Sequence, residues 1–170
     1  MNVYLDTNLV SAIARDDHPG ESEALAALLR KRHEGKVRMV TSKVTGVEIE
    51  RCSGQHRGDI QRVYDEMKKV AYVEPETHVG YNSYWDDEMG GWSDPLYDVN
   101  PIWQSLREIG LDQTDAHHVM LAIQSGCDVF LTCDAKTILR YRTEIESRYA
   151  IRLMRPTECV AALEANYARL

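Results

Sequence analysis

Short apolar runs of strand length alternate along this chain with longer segments of helical period, and that alternation restricts the fold more than any other feature. Residues 2–6, 37–41, 129–132 and 151–154 read as strands. Between them, helices are expected over 22–35, with Ser22 as N-cap and Gly35 as the stop, and from a Ser42 cap to about Cys52. Ile60, Val63, Tyr64, Met67 and Ala71 recur at helical spacing and predict a helix over 57–71. Asn100 and Pro101 open a helix ending near Gly110, and Thr114 caps another over 115–125, closed by Gly126. A helix over 135–147 and a last one capped by Thr157 complete the pattern. Strands alternating with helices call for a parallel sheet covered on both faces, a three-layer α/β/α arrangement. The 170 residues suit a single domain spanning 1–170, large enough to bury a real core.

In such a sheet the connections share one hand, so the carboxyl ends of the strands share one rim, where ligands bind. Two strands deliver an aspartate there: NVYLDTN ends its apolar run at Asp6, and DVFLTCDAKTI places Asp134 just past Thr132. Two further acids lie on inward helix faces. At about 100° per residue, Glu48 falls within the apolar arc of Val44, Val47, Ile49 and Cys52, while Glu50 falls on the opposite side. On the later helix Asp115 shares a face with Val119, Ala122 and Ile123; His117 and Gln124 point outward and His118 sits at the margin.

Each acid alone has an ordinary explanation. Asp134 caps a helix, Asp115 favours a helix dipole, Glu48 closes a capping box with Thr45, and Asp6 occupies a turn. Together they form a set that needs a counter-charge, because two like charges about 4 Å apart repel by roughly 4 kcal/mol at an effective dielectric near 20. No lysine or arginine pattern matches all four. A divalent cation would resolve the crowding, and Mg²⁺ or Mn²⁺ suits oxygen ligands.

At these residues the chain resembles the PIN-domain ribonucleases. The resemblance rests on YLDTN, on TSKVTGVEIE, and most specifically on DAHHVMLAIQSGCDVFLTCD, which carries a D-x-x-H…A…G-C-D-x-F-x-T-x-D run. It implies Asp6, Glu48, Asp115 and Asp134 as the metal-binding and catalytic acids of a Mg²⁺- or Mn²⁺-dependent endoribonuclease, with Asn8 and Thr132 at supporting positions. By the same resemblance RNA is the substrate, an antitoxin protein is a partner if the chain is of the VapC toxin type, and a homodimer is the expected assembly. His118 is a candidate support for Asp115. Lys136 and Arg140, one turn apart on the expected helix, are candidates for contact with the substrate backbone, against the simpler alternative of a solvated face.

The net charge of −7 argues against a protein that grips nucleic acid through a broad positive field. It leaves room for a nuclease, since acids gathered around a metal count in that sum. The four cysteines make no C-x-x-C pair and no zinc spacing, and are expected as buried small apolar residues of a reducing cytosol. No apolar run approaches a membrane span, and the start lacks a signal-peptide layout, so a cytoplasmic, membrane-free protein is expected.

One stretch departs from the family pattern. Residues 75–100 mix tyrosines and tryptophans with acids, and read as an aromatic and acidic insertion. A loop folded over its own cluster, a partner surface and a base-stacking surface all remain open for it. Two alternatives to the nuclease stand beside it. A PIN-like scaffold that binds RNA or protein without cutting would be expected to lose some of the four acids. A receiver-type signalling domain would show adjacent acids after the first strand, where this chain has Asp6-Thr7-Asn8.

Overall fold

Strand β1 (Asn2–Leu5) leads through α1 (Thr7–Arg15) and α2 (Pro19–His33) to β2 (Arg38–Thr41), then through α3 (Lys43–Arg51) and α4 (Arg57–Val70) to the two-residue β3 (Tyr72–Val73). A hairpin of β4 (Tyr84–Asp86) and β5 (Gly91–Ser93) follows. After it come α5 (Pro101–Ile109), α6 (Gln113–Gln124), β6 (Val129–Leu131), α7 (Arg142–Arg148), β7 (Arg152–Met154) and α8 (Pro156–Tyr167). The structure is a computed structural model and describes residues 1–15, 18–51, 56–70, 72–73, 84–86, 91–93 and 100–167.

Five strands form one sheet in the order β3-β2-β1-β6-β7, with every pairing parallel. Central β1 obeys the two-residue period of a strand buried on both faces. Val3 and Leu5 enter one core with Met39, Val129 and Leu131, alongside residues of α1, α2, α4 and α8. Tyr4 enters the other with Val40, Phe130 and Leu153, alongside α5, α6 and α7. The fold is therefore the expected three-layer α/β/α, PIN-like arrangement. Tyr4 stacks on Phe130 across the strand pair, ring centroids 5.4 Å apart and planes 11° from parallel. Among the described residues no helix is long and apolar enough to cross a membrane.

Several local expectations are corrected. Thr7–Arg15 is helical although its pattern predicted nothing; Leu9, Val10 and Ala12 face the core, but the run is short. Helix α2 starts at Pro19 rather than at Ser22, because proline's fixed φ suits the first helical position. In α6 the cap is Asp112, not Thr114: its carboxylate accepts from the Asp115 N–H at 2.8 Å. Thr157 lies inside α8, and its N–H and hydroxyl bind the Glu21 carboxylate, each at 3.0 Å. The predicted helix over 135–147 is instead a turn, a 3₁₀ segment at Leu139–Tyr141 and the short α7, for a reason that lies in Asp134 below. The insertion at 75–100 falls largely outside the described residues. Within it β4 and β5 pair antiparallel, with Trp85 opposite Trp92 in register.

Asn100 caps α5 as expected, accepting from the Ile102 and Trp103 N–H groups, and Gly110 ends that helix at φ +116°. A Cβ at Gly110 would stand 2.6 Å from the Tyr141 hydroxyl, in a backbone region that side chains resist. Gly110→Ala is expected to cost about 2 kcal/mol or more, combining left-handed backbone strain with displacement of Tyr141. A lowered urea midpoint with an unchanged slope would register it.

Candidate active site

Parallel pairing of β1 with β6 sets Leu5 beside Leu131, so the chain leaves both strands on the same rim. Asp6 follows immediately. Its N–H donates to the Leu131 carbonyl at 3.1 Å, and its Oδ2 accepts from the Thr132 hydroxyl at 2.6 Å. The backbone N–H of Asn8, in the first turn of α1, also donates to this carboxylate. Asn8 thus supports Asp6 through its main chain. Asp6 is only 4% exposed, and burial raises its pKa, opposed by His118 and by the Thr132 hydrogen bond.

Thr132 serves a second acid. Its hydroxyl oxygen accepts from the Asp134 N–H at 2.9 Å. Asp134 Oδ1 in turn accepts from the N–H groups of Lys136 and Thr137, both at 2.8 Å. This side-chain turn replaces the first turn of the predicted helix, since the carboxylate satisfies donors in a turn geometry. Lys136 and Arg140 consequently do not share a helix face. Both are exposed, Lys136 in the turn and Arg140 in the 3₁₀ segment, its guanidinium 4.7 Å from the Tyr141 ring centroid.

Asp115 occupies the third position of α6, with the Thr137 side chain near enough to lower its pKa. Its Oδ2 is buried and has no hydrogen-bond partner among the described residues. Burial first, and then the charges of Asp112, Asp6 and Asp134, push its pKa up to about 6. That mutual influence places three of the expected acids within electrostatic reach of one another.

Glu48 projects from α3 toward the same rim. Its Oε2 accepts from the Thr7 hydroxyl and lies 2.8 Å from His118 Nε2. The other ring nitrogen of His118 is 3.0 Å from the Tyr4 hydroxyl, which donates to Ser42 Oγ at 2.7 Å. His118, expected beside Asp115, therefore makes its hydrogen bonds to Glu48 and Tyr4. Burial alone would lower its pKa; the hydrogen bond and charge of Glu48, with Asp6 and Asp115, outweigh this and raise it.

The outward placement expected for His117 is overturned. It is 8% exposed, because α6 is enclosed along its length and residues 116–122 are all buried. A wheel drawn on one face assumes a solvent side that this helix lacks. Burial, and secondarily His118, lowers the His117 pKa to about 3. The unfolded chain gains a proton near pH 6.5 that the folded protein refuses, so stability is lost as pH falls below that value. His117→Leu is expected to gain on wild type in thermal unfolding as pH drops from 7 to 5; parallel profiles for the two proteins would refute this.

Thr7, Tyr4, Ser42, Asp112 and Thr137 are site residues that sequence reasoning missed. Thr7 and Thr137 carried a signal, each lying one or three positions past a rim aspartate. Tyr4 reads as a core residue, and only the folded contacts reveal the use of its hydroxyl. Cys127 and Cys159 are buried as expected, and Cys133 is half-buried.

The fold is a three-layer, PIN-like α/β/α arrangement in which Asp6 and Asp134 follow β1 and β6 at one edge of the sheet. The chain is similar in structure to one chain of VapBC2 from Rickettsia felis, solved bound to a DNA fragment from their promoter, at TM-score 0.55 and 12% identity. The match covers 91% of this chain and 98% of that one, and is a likeness of fold. No protein-family model and no curated protein sequence matches.

Proposed function

We propose that the chain is a divalent-metal-dependent endoribonuclease with Asp6, Glu48, Asp115 and Asp134 as its working carboxylates. The observation that carries this reading is the buried Oδ2 of Asp115, which lies near other acids and has no hydrogen-bond partner among the described residues. A buried acceptor without a donor is costly, and a cation is the simplest partner for it. Among the described residues no group of three or more His, Cys, Asp or Glu side chains is gathered tightly enough to hold a metal by itself. Mg²⁺ keeps several waters and takes one or two carboxylates together with substrate phosphate.

The donor set fits such an ion, with Asp6, Asp115 and Asp134 as direct or water-mediated ligands. When bound, the ion would lower the pKa of a water and offset charge on the phosphate. The chain's own residues do the rest. Thr132 holds Asp6 and the Asp134 backbone together, so the acids from the two strand ends keep a fixed relation. The Asp134 turn fixes its carboxylate against rotation. Glu48, gripped by Thr7 and His118, is either a further ligand or the group that orients the attacking water. The likeness to a VapBC2 chain supports a toxin role with an antitoxin partner; a homodimer is what the family resemblance implies.

Incubation with mixed single-stranded RNA and Mg²⁺ or Mn²⁺ tests the reading. Cleavage should stop with EDTA. In Asp6→Asn it should fall at least about a hundredfold, since metal assistance supplies several kcal/mol and each 1.4 kcal/mol is tenfold. A protein that binds RNA under every metal condition yet never cuts it would be the scaffold instead.

A further inference from the structure

We propose that His118 is a positioning residue which holds Glu48 in its working orientation, through a chain of side chains running Ser42–Tyr4–His118–Glu48–Thr7. The inference rests on the nuclease reading above, and adds to it a residue that never meets metal or substrate.

The geometry is specific. His118 is 1% exposed and uses both ring nitrogens, Nδ1 at 3.0 Å from the Tyr4 hydroxyl and Nε2 at 2.8 Å from Glu48 Oε2. A ring held at both nitrogens has a single orientation, so it aims its Nε2 side at Glu48, with the Thr7 hydroxyl more distant at 3.4 Å. Tyr4 is itself immobilised. It is wholly buried in central β1, stacked on Phe130, and its hydroxyl donates to Ser42 Oγ at 2.7 Å. Ser42 lies between β2 and α3, directly before the helix that carries Glu48. The chain thus starts from the central strand of the sheet and ends on a side chain that is 30% exposed at the rim. Thr7 grips the same Glu48 oxygen from the first residue of α1. A glutamate on an isolated helix samples several rotamers; this one is tied to β1, α1 and α6 at once.

A merely space-filling histidine would behave differently, and substitutions separate the two. Asparagine can place an amide N–H where Nδ1 stands, facing Tyr4, whereas glutamine can place one where Nε2 stands, facing Glu48. His118→Leu should lower kcat of metal-dependent RNA cleavage about 10- to 100-fold, the range for loss of a supporting hydrogen bond at a metal site. His118→Gln should recover most of that loss and His118→Asn should not, with KM unchanged in all three. In a Glu48→Gln background His118→Leu should cost no further activity, since it acts only through Glu48. Equal losses for the glutamine and asparagine variants, or full additivity with Glu48→Gln, would overturn the proposal.

A second measurement needs no metal and no catalysis. In EDTA, His118→Leu and Glu48→Met should destabilise non-additively in urea unfolding, because either change already removes the shared bond. Strict additivity there refutes the positioning role even if RNA is cut. Should the wild type cut no RNA with Mg²⁺ or Mn²⁺, the nuclease reading fails, and the coupling in EDTA still decides whether His118 holds Glu48.

Discussion

Asp115→Asn should melt at a higher temperature than the wild type at pH 7.5 in EDTA, while cutting no RNA. The carboxyl ordinarily titrates near 3.8 and is pushed up to about 6 by burial and by the neighbouring acids. Between those values the folded protein keeps a proton that the unfolded chain gives up. Stability therefore falls as pH rises through this window and remains lowered above it. Asparagine carries no charge and escapes the loss. A shift of this size would be worth about 3 kcal/mol for a dry group, but Asp115 is only partly buried, so screening leaves ~1–2 kcal/mol. For a chain of this length that is a rise in Tm of ~3–6 °C. The gain should fade as pH drops and vanish well below 3.8, where the carboxyl is protonated in the folded and the unfolded chain alike. A variant less stable than wild type at pH 7.5 would mean that the carboxylate is satisfied where it stands, and the case for a cation would lose its footing. Strain relieved by the same change that destroys activity is the usual mark of a site built for a ligand.

The complementary result is stabilisation of the wild type by Mn²⁺ or Mg²⁺. An ion that binds only the folded protein contributes about 2.7 kcal/mol at a hundredfold excess over Kd, which corresponds to a Tm rise of ~5–10 °C here. Asp115→Asn and Asp6→Asn should each lose most of that rise. If Mn²⁺ leaves the wild-type melting curve where EDTA puts it, the acids hold no ion, and the scaffold alternative gains accordingly.

The architecture was legible because its signals are physical and local. Apolar runs at Val3–Leu5, Met39–Thr41 and Val129–Leu131 are too short for helices and too apolar for an exposed sheet, so a doubly covered parallel sheet follows. The positions of Asp6 and Asp134 past two strand ends were legible for the same reason: a carboxylate that closes an apolar run marks where the strand leaves the core. What remained illegible depends on tertiary contact. His117 reads as exposed on a wheel, and only the enclosure of α6 by its neighbours buries it. The region after Asp134 reads as helix by period, yet a single carboxylate accepting two backbone N–H groups redirects it into a turn. Helix α1 escaped notice because nine residues give too few turns for a clear period. The service of Tyr4 to His118 leaves no pattern at all in a sequence, since it joins residues 114 positions apart.

Thr132 joins Asp6 to the opposite end of the chain, across 126 residues. A polypeptide emerging from the ribosome therefore carries Asp6 from the outset but lacks the threonine that seats it and the strand that flanks it. Nothing synthesised before β6 can substitute, because β6 pairs with β1 directly. The seat of the Asp6 carboxylate is thus the product of late, long-range closure, and a chain that lacks β6 has no partner to hold it.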